Sequence, residues 1–135
     1  MENDFYFDTS IWIDIYEKRG YNGEVAKKLM EKVIKEDSVI VYSDLVVKEF
    51  KRIGYSEHEI NVILSIAKPG HIRRIHLTKG QLIEAKQLFK QRDVPLGDIF
   101  HAILARDHEA QLVSRDRDFE KIKDITEAKL PEDLI

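Results

Sequence analysis

The sequence contains no cysteine. Its absence removes disulfides, thiolate nucleophiles and sulfur-ligated zinc, so any metal must sit on oxygen or imidazole. Long apolar runs are missing too. Val39-Ile40-Val41-Tyr42 falls far short of the roughly 20 residues a membrane-spanning helix requires. The opening Met1-Glu2-Asn3-Asp4-Phe5 has neither the basic start nor the apolar stretch of a secretory signal, so a cytoplasmic location with no membrane partner is expected. Glycine is sparse and wrongly spaced for a phosphate cradle. Gly20, Gly23, Gly54, Gly70, Gly80 and Gly97 fit neither GxGxxG nor GxxxxGK(S/T), which disfavours the nucleotide-binding enzymes built on those loops.

What is present describes a folded chain. With 135 residues, 43% of them hydrophobic and 35% charged, the composition suits one globular domain over residues 1–135. The net charge of -3 argues at first against a nucleic-acid partner. If four acids are committed to cations, however, 21 remain against 22 Lys and Arg, and the rest of the protein no longer repels phosphate.

Short apolar runs alternate with helical periodicities. Phe5-Tyr6-Phe7 reads as a strand, and Asp8-Thr9-Ser10 can cap a helix carrying Ile11, Trp12, Ile15 and Tyr16. A second helix runs from Asn22-Gly23 to about Glu36. Ser38 to Tyr42 is β-branched and apolar without alternation, as in a strand covered on both faces. Ser43 then caps a helix ending at Gly54. Ser56 with Glu59, and Thr78 with Gln81, have the form of capping boxes for two further helices, the first through Ala67 and the second through Phe89. Gly97-Asp98 opens a helix to His108, Gln111-Leu112-Val113 is a strand, and the tail from Ile125 to Ile135 offers an edge strand and a loose end. The pattern predicts an α/β fold, a central parallel sheet of about four to five strands flanked by helices.

In such sheets ligands bind beyond the carboxyl ends of the strands, where strand order reverses. Asp8 follows the first strand, Asp116 lies three residues past Val113, Asp98 opens a helix and Glu49 sits in the second turn of another. All four can reach one rim. Clustered carboxylates repel one another unless a cation joins them, and a hard divalent ion suits such oxygen donors. Each acid also has an ordinary reading. Asp8 can be a cap, Asp98 an acid in a first turn, Glu49 a partner of Arg52, and Asp116 part of an Asx turn. The densest basic stretch, His71-Ile72-Arg73-Arg74-Ile75-His76 with Lys79, is either a grip on an RNA backbone or a solvated connector.

Phe5 to Ser10, Ser43 with Glu49, Asp98 to Ala105, and Leu112 to Phe119 resemble the PIN domain in the order that family uses. The resemblance is strongest to its single-domain prokaryotic members, which include VapC-type toxin ribonucleases. It implies an endoribonuclease using one or two Mg²⁺ or Mn²⁺ ions to activate water, a homodimer, and possession of an antitoxin partner if the chain is a toxin. A housekeeping RNA-processing nuclease and a weakly catalytic binding module are the alternatives. Carried across, Asp8, Glu49, Asp98 and Asp116 form the metal site, with Asp118 as an alternative fourth ligand. Thr9 and Ser114 stand where a hydroxyl orients a carboxylate or water. His101, one turn after Asp98, is either a contact to phosphate or metal-bound water or a polar residue at the lip of the cleft. Haloacid-dehalogenase-like chemistry is disfavoured because the position two residues after Asp8 is Ser10. A receiver-type signalling domain would also need acids and a late lysine that this chain does not place.

Overall fold

The computed structural model describes residues 4–67 and 69–135. Met1–Asn3, read above for a secretory signal, and Lys68 lie outside the described residues. Strand β1 (Asp4–Phe7) leads into α1 (Thr9–Tyr16) and α2 (Gly20–Lys35), and β2 (Ile40–Ser43) into α3 (Asp44–Ile53) and α4 (Glu57–Leu64). Strand β3 (Ile72–Ile75) is followed by α5 (Lys79–Phe89) and α6 (Leu96–Asp107), then β4 (Ala110–Val113), a 3-10 segment (Arg117–Ile122) and β5 (Ala128–Lys129). Every pairing is parallel, in the order β3-β2-β1-β4-β5. The chain therefore steps outward from β1 to β3 and returns to the other side of β1. The strand order reverses between β1 and β4.

The unalternating apolar strands have the expected cause. Tyr6 and Phe7 of β1, Ile40 and Val41 of β2, and Leu112 and Val113 of β4 are fully buried, because helices cover both faces of the sheet. These side chains join Trp12, Leu29, Phe50, Ile99 and Ile103 in one core. Both capping boxes form. Ser56 and Glu59 exchange bonds of 3.1 and 2.9 Å, as do Thr78 and Gln81. Gly54 closes α3 with φ 120°, a backbone angle that side-chain-bearing residues rarely adopt.

Several local expectations need correction. The basic stretch is no connector: Ile72–Ile75 is the edge strand β3, paired with β2 from Ile40↔Ile72 to Ser43↔Ile75. Its two arginines interrupt the apolar pattern because an edge strand leaves part of its surface to solvent. The tail is not loose. Beyond β5 it forms a 3-10 turn at Pro131–Asp133, and Lys32 Nζ on α2 donates to the Leu134 carbonyl at 2.8 Å. Helix α4 ends at Leu64, before Ala67, and α2 begins at Gly20 rather than Asn22.

The α1–α2 hairpin depends on one close approach. A Cβ built on Gly23 would lie 2.5 Å from the Asp14 carbonyl oxygen, a backbone atom that cannot rotate away. Gly80, in the first turn of α5, has open space around the same position. Gly23→Ala is accordingly expected to destabilise the protein by about 1–3 kcal/mol. Gly80→Ala should be neutral or stabilise by up to about 1 kcal/mol. Urea denaturation of the two variants checks the pair; equal stabilities would contradict the contact.

Candidate functional site

The end of β1 and the end of β4 meet at the switch point. The Asp8 amide donates to the Val113 carbonyl at 3.0 Å, which carries the β1–β4 pairing one residue beyond the strands. Asp8 caps α1 and is buried. Its Oδ1 accepts the Thr9 amide at 2.8 Å and its Oδ2 accepts the Ser114 hydroxyl at 2.8 Å. Ser114 Oγ in turn accepts the Asp116 amide at 3.0 Å, and Asp116 Oδ1 accepts the Asp118 amide at 2.9 Å. The chain after β4 is thus folded around Asp8 by hydroxyl and backbone bonds.

Glu49 projects from α3 toward this rim. Its Oε1 accepts bonds from the Thr9 hydroxyl and from His101 Nε2, the latter at 2.9 Å. It is not bonded to Arg52. Gly97 gives its other oxygen room, since a Cβ there would lie 3.3 Å from Glu49 Oε2. Asp98, in the first turn of α6, points its Oδ2 into a buried position where it has no hydrogen-bond partner. Acceptor-capable oxygens of Asp8, Glu49 and a His101 nitrogen lie within 4.8 Å of one another, and so do oxygens of Asp98, Asp116 and Asp118.

The four acids Asp8, Glu49, Asp98 and Asp116 line one cleft of about 540 Å³ with Arg19, Arg52 and Arg115. Asp118 does not line it, and its carboxylate is 3.9 Å from Lys121 Nζ. Asp116 is therefore better placed than Asp118 as the fourth acid. Arg73, Arg74 and Lys79 are not brought to the cleft. Arg73 pairs with Asp4 at 3.3 Å and Arg74 with Asp44 at 2.7 Å, while Lys79 begins α5. The cleft's own arginines carried a weak signal in sequence: Arg52 follows Glu49 by one helical turn and Arg115 precedes Asp116. Arg19 reaches the cleft only through the α1–α2 hairpin.

His101 is not at the lip of the cleft; its Nε2 faces the cleft acids from behind, 2.9 Å from Glu49 and 3.9 Å from Asp8. It is fully buried beneath Glu49, and its Nδ1 lies 2.6 Å from the Tyr6 hydroxyl. The ring is drawn inward because α6 packs its whole middle, Ile99 to Ala105, into the core. One turn after Asp98 places His101 one layer deeper, not further along the rim.

The two halves of the site differ in electrostatics. Burial alone would raise Glu49, but the hydrogen bond and charge of His101, with the Thr9 hydroxyl, outweigh it and hold the carboxyl below its ordinary value. Burial opposes a charge on His101, yet the Glu49 bond and the Asp8 charge raise its pKa. Burial pushes Asp8 up despite His101 and Ser114. Asp98 has less help: burial first, then the neighbouring Asp116 charge, hold its carboxyl up at about 7. A buried carboxylate oxygen without a hydrogen-bond partner, close to a second carboxylate, is the chemistry of a divalent cation site, and Asp98 and Asp116, with Asp8 lining the same cleft, fit one.

Comparison with known proteins gives the same fold. The family model of the PIN domain matches residues 5–125. VapBC2 from Rickettsia felis, solved bound to a DNA fragment from its promoter, has a chain 16% identical with a TM-score of 0.71, covering 94% of this chain and 98% of that one. VapBC-1 from nontypeable Haemophilus influenzae is similar at 18% identity and TM-score 0.67, covering 96% and 98%. Mycobacterium tuberculosis VapC20, a sarcin-ricin loop cleaving toxin, is similar at 20% identity and TM-score 0.65, covering 86% and 92%. No curated protein matches the sequence.

The raised pKa of Asp98 is expected to make stability depend on pH. Its folded pKa of about 7 exceeds the unfolded value of about 3.9, so the folded state binds the extra proton between them. The stabilisation is fully present below the lower value and is lost as pH rises through 7. In EDTA, Asp98→Asn should match the wild type near pH 4 and exceed it at pH 8 by roughly 1–2 kcal/mol, a rise of about 3–8 °C in Tm. Added Mn²⁺ should then stabilise the wild type more than the variant. A Tm difference independent of pH would contradict the assignment.

Proposed function

Because this chain belongs to the PIN-domain family, we propose that it is a metal-dependent endoribonuclease and the toxin of a toxin–antitoxin pair. The observation that carries the reading is the convergence of Asp8, Glu49, Asp98 and Asp116 on one cleft at the strand-order reversal, with a buried Asp98 oxygen left without a partner. Asp8, Asp98 and Asp116, with Glu49, are the residues that would hold one or two Mg²⁺ or Mn²⁺ ions. Such an ion supplies Lewis-acid stabilisation of the phosphodiester and lowers the cost of deprotonating the attacking water.

The protein's own part is to position and to exclude. Ser114 and the Thr9 amide hold the two oxygens of Asp8 in fixed directions, so that its carboxylate does not rotate away from the cleft. Thr9 and His101 do the same for one oxygen of Glu49. Arg19 and Arg52, exposed at the mouth, present guanidinium groups to the phosphates flanking the scissile bond, a sequence-independent contact. That division explains how a chain of net charge -3 meets RNA: the acids lie at the floor and the cations around them.

The toxin reading draws on the similar folds, which include a toxin-antitoxin complex from Klebsiella pneumoniae and the toxin VapC20. By the same reasoning an antitoxin protein is the expected inhibitor of this chain, while a homodimer is expected from the family resemblance alone. Intact acids at all four positions favour catalysis over a purely binding role.

The test is cleavage of structured RNAs by the purified protein with Mg²⁺ or Mn²⁺. Asp98→Asn is expected to lower the rate at least about 100-fold, and excess EDTA to abolish it. Arg52→Ala should raise KM several-fold with a smaller change in kcat, as expected for loss of a phosphate contact. Hydrolysis that persists in the Asp98 variant or in EDTA would sink the proposed site.

A further inference from the structure

Three fully buried polar side chains lie behind the cleft and touch no solvent: Tyr6 on β1, Ser43 at the end of β2 and His101 on α6. They form a single file. Ser43 Oγ is 2.7 Å from the Tyr6 hydroxyl, that hydroxyl is 2.6 Å from His101 Nδ1, and His101 Nε2 is 2.9 Å from Glu49 Oε1. The direction of the bonds follows from the chemistry of the end group. An ionised carboxylate only accepts, so Nε2 must carry a hydrogen. With a neutral ring Nδ1 is bare and accepts from Tyr6, whose oxygen then accepts from Ser43. With a charged ring the first two bonds reverse, but Nε2–H still points at Glu49. The link to Glu49 is therefore the same in either state.

Ser43 provides a second, independent sign that this file has a task. It stands at the N-cap of α3, where a serine hydroxyl ordinarily satisfies a backbone amide of the first turn. Here the side chain makes no capping bond and turns inward to Tyr6. The helix that carries Glu49 forgoes its cap, and the hydroxyl instead anchors the far end of the file. Glu49 has need of an anchor. It is a three-torsion side chain on a helix at the rim, and Arg52 on the next turn offers its carboxylate a solvent-exposed alternative.

We propose that Ser43, Tyr6 and His101 form a buried positioning relay that holds the Glu49 carboxylate in the cleft, ready for a divalent cation. This rests on the reading of Glu49 as a metal-site acid. None of the three lines the cleft, so they are positioning residues. Outer hydrogen-bond partners of metal ligands commonly change affinity by about 10–100-fold when removed, and His101 has the corresponding place here.

The measurement is Mn²⁺ affinity of the purified protein by calorimetry, with Tm recorded in parallel in EDTA. Tyr6→Phe keeps the ring and deletes only the hydroxyl; it should weaken Mn²⁺ binding about 3–10-fold. His101→Phe should weaken it about 10–100-fold, and His101→Gln, whose amide nitrogen reaches near the Nε2 position, should recover part of that loss. A merely structural file would lower Tm in these variants and leave the affinity of the folded protein unchanged. If Glu49→Gln impairs binding while Tyr6→Phe and His101→Phe bind as the wild type does, the relay is wrong and the site stands. If the wild type binds no Mn²⁺, or Glu49→Gln binds normally, the site reading itself falls and the relay with it. Should His101→Phe fail to fold, Tyr6→Phe decides the matter alone.

Discussion

The pairing of β1 with β4 organises everything at the cleft. Register from Asp4↔Ala110 to Phe7↔Val113 brings the two strands out at the same level, and the Asp8 amide continues the ladder onto Val113. Ser114 then falls beside Asp8 and can donate to its Oδ2. A slip of one residue would carry Asp8 away from Ser114 and exchange the buried aromatics Tyr6 and Phe7 between two differently packed faces, so their packing holds the register that the carboxylate requires. Stability and site geometry share one constraint.

From that pairing the charge problem follows. Placing acids at a strand-order reversal under covering helices removes them from water, and burial is the leading influence on Asp8, Glu49, Asp98 and His101 alike. The fold compensates one half internally. His101, Thr9 and Ser114 donate to Asp8 and Glu49, as buried carboxylates require. Asp98 Oδ2 has no such donor. Asp98 keeps a partnerless oxygen beside Asp116, an arrangement that favours proton or cation. The protein is preorganised on one side and unsatisfied on the other, which is the condition in which binding a cation gains most.

Much of this was legible in the residues because the relevant signals are local. Val39 to Tyr42 reads as a doubly covered strand because a parallel sheet leaves no polar face. Ser56 with Glu59 and Thr78 with Gln81 read as capping boxes because the reciprocal bonds span only three residues. Asp8 and Asp98 are recognisable for the same reason: each follows a strand or opens a helix, and the ends of elements are where polar side chains leave an apolar pattern. The resemblance to the PIN domain adds the order of the four motifs. The edge strand at Ile72–Ile75 escaped this logic, since Arg73 and Arg74 break its apolar run while Asp4 and Asp44 pair with them from distant parts of the chain.

What required the folded chain is of another kind. Composition, periodicity and the spacing of caps suffice for an α/β chain with acids at the ends of its elements, because each depends on neighbours a few residues apart. The depth of His101, the inward turn of Ser43, and the arrival of Arg19 and Arg52 at the mouth of the cleft depend on contacts spanning tens of residues: 95 separate Tyr6 from His101, and 106 separate Asp8 from Ser114. Helical spacing says that His101 shares a face with Asp98. Only the packing of α6 against β4 and α5, with the bonds of His101 to Tyr6 and Glu49, decides that the ring points inward, and so makes the histidine a support for Glu49 rather than a contact for substrate.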